Sequence, residues 1–432
     1  MNMHSRKHKI YIILGVLLSI IAFPVLFLIS LNIFTYDLPG FDDSDLWSVH
    51  AEPLPEEENL YYALHELLPL LYYPQAKRQE IRAIVIEDEW DEQLVSVLLE
   101  RNENLLLALD RIEIEGTYRD PRVLKNVHDT TDVNYIERFF VSDLAQINEI
   151  NLIAARSYLR AGDHSLALTK AIRSVELGAL LLESELTLIE TMNARQIKSS
   201  GLDLLYELLP ESTLAPDEYA EVQQVLENSK NSRAGLVSAT QFEYVFLSKW
   251  IDGVARRDPD ALEAIGWTSL QTGYTRSIFF PYRYLFQPNT TKNHRASLAR
   301  QVIVDSHRKC SDEYTPIDIP RNVDSDKGEL KQYLTPNSLG RVILSVSAGF
   351  PDLVPRHCEL ELQKIFIQTL FALRAYQDEH GMLPDSLEGL LPEFLPSVPA
   401  DILTDQPLRY DREQKVLSSF LDSDRNMMQI NF

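Results

Sequence analysis

Residues 132–171 read DVNYIERFFVSDLAQINEINLIAARSYLRAGDHSLALTKA, and this stretch decides the fold class. Ile136, Phe140, Leu144, Ile147 and Ile150 recur at steps of three and four residues, which sets them on one face of a helix that continues to Tyr158. Gly162-Asp163 breaks the pattern. A second helix opens at Ser165 and carries Leu166, Ala167, Ala171, Val175 and Leu182, and a third runs from about Leu186 through Ile189, Ile197, Leu204 and Leu208 to Pro210. Long helices joined by turns of two or three residues fold back antiparallel. Towards the N-terminus, Leu60, Leu64, Leu67, Leu68 and Leu71 keep helical spacing until Pro74. A further helix is expected around Trp90–Leu109, with Leu94, Val97, Leu98 and Leu105 on one side.

The turn between the first two long helices resembles one unit of a tetratricopeptide repeat. Ala155, Tyr158, Gly162, Asp163, Ala167 and Ala171 fall where that repeat places its small residues, its tyrosine and its turn. Small side chains let paired helices approach closely, and glycine accepts the turn geometry. No second copy in the same register is present, so an ordinary helical hairpin stands beside the repeat reading. Tyr158, Gly162, Ala167 and Ala171 are the residues that would line a partner-binding groove at this hairpin.

At the N-terminus, Ile10 to Phe34 carries no charge, follows Arg6, Lys7 and Lys9, and precedes an acidic run. As a helix it would cover about 37 Å, more than the roughly 30 Å hydrocarbon core of a bilayer. No small-residue cleavage pattern closes it, and the positive flank predicts a cytoplasmic amino end. The expectation is a single-pass protein of a bacterial inner membrane with its bulk in the periplasm.

Composition narrows the partners. The chain has 41 Lys and Arg against 64 Asp and Glu, a net charge of −23. Nucleic-acid binding rests on basic side chains displacing counterions, so nucleic acid is excluded as a partner. Basic peptides, metal ions or neutral ligands suit such a surface, and simple solubility explains the excess acid equally well. An apolar content of 45% with only 15 glycines fits a globular helical chain rather than a disordered one. Two cysteines, Cys310 and Cys358, would be free to bridge in an oxidising periplasm. Alternatively Cys358 is a buried thiol on an apolar stripe and Cys310 sits at a polar helix end. Without CxxC spacing they do not suggest zinc.

Gly266 to Thr291 concentrates Trp267, Tyr274, Phe279, Phe280, Tyr282, Tyr284 and Phe286, with Arg276 and Arg283 among them. Such a run is either a stacking and cation–π platform, a loop at a membrane interface, or an irregular segment buried by its aromatics. From Pro316 to Ser338 the chain turns polar and proline-rich, the best internal boundary.

At the C-terminal end, Glu359 to Gly381 reads as a strong helix with Leu362, Phe366, Leu370 and Leu373 on one face. Pro384 can start a short second helix that packs Leu387, Leu390 and Leu391 back. Leu408-Arg409-Tyr410 and Val416 to Phe420 then read as two short strands. This order resembles the globular end of type II secretion major pseudopilins. Ala372, Tyr376, His380, Gly381, Pro384, Leu387, Leu390, Pro399, Asp401, Pro407 and Tyr410 carry the likeness, over about 60 residues. The resemblance implies a secretion-type protein partner. It departs from the family in lacking the leader and the membrane helix directly before the module. Some pseudopilins bind calcium in the last loop. Here only Asp405, Asp422 and Asp424 are placed to imitate that, and Asp422-Ser423-Asp424 alone supplies too few oxygens.

No catalytic motif stands out. His65-Glu66 lacks the second histidine of a zinc protease, Pro69 occupying its place. There is no G-x-S-x-G elbow, P-loop or dinucleotide fingerprint. No cofactor is expected.

The sequence therefore predicts a mainly α protein: an N-terminal transmembrane helix, an antiparallel α-helical ectodomain and a small C-terminal α+β module. The expected divisions are a cytoplasmic tail (1–9), the membrane helix (10–34), a stalk (35–58), the helical domain (59–315), a linker (316–353) and the pseudopilin-like module (354–432). The expected function is a membrane-tethered periplasmic scaffold that docks another envelope component. The alternative is an anchored hydrolase of cell-wall glycan or peptide, with no particular Glu or Asp singled out.

Overall fold

The computed structural model describes residues 19, 22–23, 26, 36–47, 54–86, 89–121, 140–210, 214–229, 233–259, 261, 286–314, 336–346, 353–419 and 427–429. It is mainly helical, with small antiparallel sheets at the C-terminal end. The fold class expected from sequence needs one correction. Among the described residues no helix is long and apolar enough to cross a membrane, so the described architecture does not include the expected transmembrane helix. Of the stretch 10–34 only Ser19, Ala22, Phe23 and Leu26 are described, each helical, and the rest lies outside the described residues. A span requires about 20 consecutive apolar helical residues, and the four described here do not make one.

The chain divides into two compact units. The larger comprises the described parts of Leu46–Val245, Ala299–Pro316 and Gly349–Phe432. It begins with α1 (Leu60–His65), α2 (Arg78–Ile86), α3 (Glu92–Arg101) and α4 (Glu103–Arg111). The single helix expected around Trp90–Leu109 is thus two, parted at Asn102. That buried side chain accepts from the Tyr72 amide (2.8 Å) and donates to the carbonyls of Tyr72 (2.9 Å) and Leu98 (2.8 Å). A polar residue that captures backbone groups in this way competes with the helix ladder.

The core is the antiparallel trio α5 (Phe140–Arg160), α6 (His164–Glu183) and α7 (Leu188–Leu208). Leu144, Ile147 and Ile150 are fully buried, as their spacing predicts. Gly162, at φ +81°, makes the α5–α6 turn, and the Asp163 side chain caps α6 by accepting from the Leu166 amide. Thr187 and Glu190 form a reciprocal capping box at the start of α7. α6 and α7 touch backbone to backbone. A Cβ on Gly178 would lie 2.4 Å from the Lys198 nitrogen, and one on Gly201 would lie 2.9 Å from the Val175 nitrogen.

Arginines fasten the small N-terminal helices to this trio. Arg156 of α5 pairs with Glu207 and donates to the Ile84 and Val85 carbonyls at the end of α2. Arg173 of α6 donates to the Leu109 and Ile112 carbonyls at the end of α4. The last carbonyls of a helix have no intrahelical partner and carry partial negative charge, so a guanidinium is a fitting plug.

Further along the chain come α8 (Pro216–Asn228), α9 (Ala234–Arg256), α10 (Pro288–Ser306), α11 (Ser338–Val346, in the smaller unit) and α12 (Leu353–His380). α12 ends at Gly381, φ +73°, and Tyr376 stacks on His380 at 4.1 Å. Buried Leu387 and Leu390 return the next turn to the core. Strands β1 (Ala400–Asp401) and β2 (Gln406–Pro407) form one pair. β3 (Arg409–Asp411), β4 (Val416–Ser418) and β5 (Met427–Gln429) form the second sheet, with Tyr410 opposite Leu417 and Leu417 opposite Met428. The Tyr410 hydroxyl donates to the Pro384 carbonyl at 3.0 Å and ties sheet to turn.

The smaller unit comprises the described parts of Met1–Asp45, Phe246–Leu298 and Ile317–Ala348. Within the stretch expected as a stalk, Asp37 caps the start of α10, accepting from the amides of Asn289 (3.0 Å) and Thr290 (2.9 Å). Of the aromatic run, Trp267, Tyr274, Phe279, Phe280, Tyr282 and Tyr284 lie outside the described residues, and Phe286 is buried. Of the expected linker, 316–335 and 347–352 lie outside the described residues, and α11 occupies most of the remainder.

Candidate functional site

The hairpin residues singled out from sequence separate in space. Gly162 is exposed at the turn and Tyr158 is half-buried, whereas Ala167 and Ala171 have no exposed surface. The two alanines are buried in the core, and a partner does not reach them. Cys310 and Cys358 are joined in a disulfide, their Cα atoms 5.7 Å apart. The Arg233 guanidinium donates to Cys310 Sγ at 2.7 Å and to the Ser306 and Arg308 carbonyls. Asp405 is engaged by Lys309 (3.0 Å) and Ser311 (2.8 Å), while Asp422 and Asp424 lie outside the described residues.

The larger unit has a groove of about 870 Å³ between α8 and α12, closed at one side by the turn Pro392–Pro396. Helix α8 forms because Pro216 is preorganised for its first turn and Asp217 and Glu218 suit its positive end. Its buried face is Tyr219, Val222 and Leu226. Tyr219 packs edge-on against Phe371 at 6.3 Å, and Gln223 donates to the Gln368 carbonyl at 2.8 Å, which fixes the distance between the two helices. The floor is apolar: Leu214, Phe371, Ala372 and Leu395.

The rim is acidic. Glu227, Asp378, Glu379 and Glu393 line the groove, and no Lys, Arg or His is among the described residues that do. Asp378 accepts from the Tyr219 hydroxyl at 2.6 Å and pairs with Arg374 at 3.1 Å behind the rim. Burial, then the hydrogen bond to Asp378, holds the Tyr219 phenol well above its ordinary value, so it stays a donor at any physiological pH. Glu227 stands in the last turn of α8, and Asp378 and Glu379 in the last turn of α12. Carboxylates there meet the negative end of the helix dipole, an arrangement worth roughly 0.3–1 kcal/mol in the wrong direction for each.

A second, smaller cavity of about 300 Å³ lies over α7, lined by Arg156, Gln196, Ser200, Asp203, Tyr206 and Glu207 with Val85 and Leu152. Crowding by surrounding atoms and the nearby Glu207 push the Asp203 carboxyl up to about 6, opposed by the Gln363 amide that donates to it at 2.6 Å. Asp203 nevertheless keeps an exposed face, so it stands at the mouth of the pocket rather than sealed inside it.

Comparison with protein-family models, curated proteins and solved structures finds no match.

Proposed function

We propose that the protein is a docking scaffold of the cell envelope, and that the groove between α8 and α12 is where its partner sits. The observation that carries this reading is an open groove of about 870 Å³ with an apolar floor and an acidic rim. A concave site of that size with few, placed polar groups is the usual form of a recognition surface. The pseudopilin-like ending contributes Phe394, Leu395 and Pro396 to one wall, which supports a secretion-type partner. The disulfide supports an oxidising compartment such as the periplasm. Ala220 is exposed on the groove wall, so Ala220→Trp fills the groove without disturbing the core. Crosslinking in intact cells should recover one partner with the wild-type chain and lose it with Ala220→Trp. Recovery of the same partner with both chains overturns the reading.

A second reading is favoured by Asp203: a carboxyl raised to about 6 beside Glu207 in a pocket of mixed polar and apolar lining has the form of a general acid of a glycan or peptide hydrolase. The purified protein would then release fragments from peptidoglycan, and Asp203→Asn would abolish the release. Absence of any release from the wild-type chain removes this reading.

A further inference from the structure

We propose that the occupant of the α8–α12 groove is an amphipathic, Lys- and Arg-flanked helix presented by a partner protein. The inference rests on the docking reading above and specifies its partner. Four carboxylates line the groove, and among the described residues only Asp378 has a basic neighbour. Glu227, Glu379 and Glu393 are exposed and form no ion pair among the described residues. Two of the three stand at helix C-termini, where the backbone itself contributes negative charge. These placements work against the stability of the free protein, so their chemistry is directed outward. They make the groove a focus of negative potential.

The potential selects the occupant by exclusion. A phosphate-bearing polymer, an anionic lipid surface or an acidic peptide would add like charge to the rim. A small inorganic cation would leave Leu214, Phe371 and Leu395 uncovered. A segment with apolar side chains on one face and cations on its flanks satisfies both floor and rim. Length points the same way. The wall along α8 has 13 residues, about 20 Å, which matches a helix of three to four turns. Such an occupant would lay anchors at i, i+3, i+4 and i+7 into the groove.

The test is a selection from a random displayed peptide library of about 14 residues, the length that spans the groove. The full chain is the target, and binders retained by Ala220→Trp are discarded. The expected survivors are rich in Lys and Arg, with apolar residues three and four apart. The best of them should bind at least about tenfold more weakly to the triple variant Glu227→Gln, Glu379→Gln, Glu393→Gln. That variant should melt no lower than the wild-type chain, because the removed charges sit at unfavourable helix ends. Survivors that are neutral or acidic, or that ignore the triple variant, overturn the basic occupant and leave the docking reading standing. A selection with no survivor that depends on an unfilled groove overturns both.

Discussion

Lys198 has no exposed surface, and its ammonium lies 3.5 Å from the Ser229 carbonyl, which Lys364 also reaches at 3.5 Å. Burial, opposed by Glu361 and added to by Lys364, pushes its ammonium down to about 8. Because the folded value lies below the unfolded one, the unfolded chain holds more protons between about pH 8 and pH 10.5. Stability therefore rises with pH across that window, and the penalty is present in full below it. Glu361, whose charge favours the Lys198 ammonium, also pairs with Lys364 at 2.5 Å. Lys198→Met removes this buried ammonium and should stabilise the fold at pH 7 by on the order of 1–3 kcal/mol, with the gain shrinking between about pH 8 and pH 10.5. Urea midpoints at several pH values measure this, and a destabilised variant at pH 7 would show that the lysine is paired well enough to offset its burial. None of this was legible beforehand, since nothing local to Lys198 marks it as buried. Its neighbours Lys364 and Glu361 come from a helix more than 150 residues away in sequence.

Among the elements, the long helices were the most legible. The apolar spacing of Leu144, Ile147 and Ile150 predicts a buried face, and these residues are buried. The same argument for Trp90–Leu109 overlooked Asn102, because periodicity registers apolar residues and not a polar one that seizes backbone groups. Helix α8 carries its signal in the sequence: Pro216-Asp217-Glu218 followed by Tyr219, Val222 and Leu226 is a helix start with a three- and four-residue stripe. The uncharged stretch at 10–34 predicts a membrane helix, and most of it lies outside the described residues, among which no helix is long and apolar enough to cross a membrane. The glycines of the α6–α7 interface give a test at this scale. A methyl group at Gly178 would meet backbone atoms of Lys198, which cannot step aside like the end of a side chain. Alanine also favours a helix by about 1 kcal/mol over glycine. The clash should win, so Gly178→Ala should lose about 1–3 kcal/mol in chemical denaturation. Unchanged or raised stability would mean that the two helices have room to part.

For the whole molecule, the groove depends on a junction that sequence does not display. Residues 214–227 and 371–396 are far apart along the chain, and each is unremarkable alone. Together they set four carboxylates around an apolar floor. The net charge of −23 left basic peptides, metal ions, neutral ligands and plain solubility as equal explanations, and the tetratricopeptide-like turn pointed to a place where Ala167 and Ala171 are already buried. The most direct measurement is a photo-crosslinking scan of the full chain in intact cells. A photoreactive residue would be placed in turn at Gln224 and Glu393 in the groove, and at Arg160 and Gly162 on the hairpin turn. The account predicts one crosslinked protein at Gln224 and Glu393, absent when Ala220→Trp fills the groove, and none at Arg160 or Gly162. Crosslinks at the hairpin turn with none in the groove would contradict it.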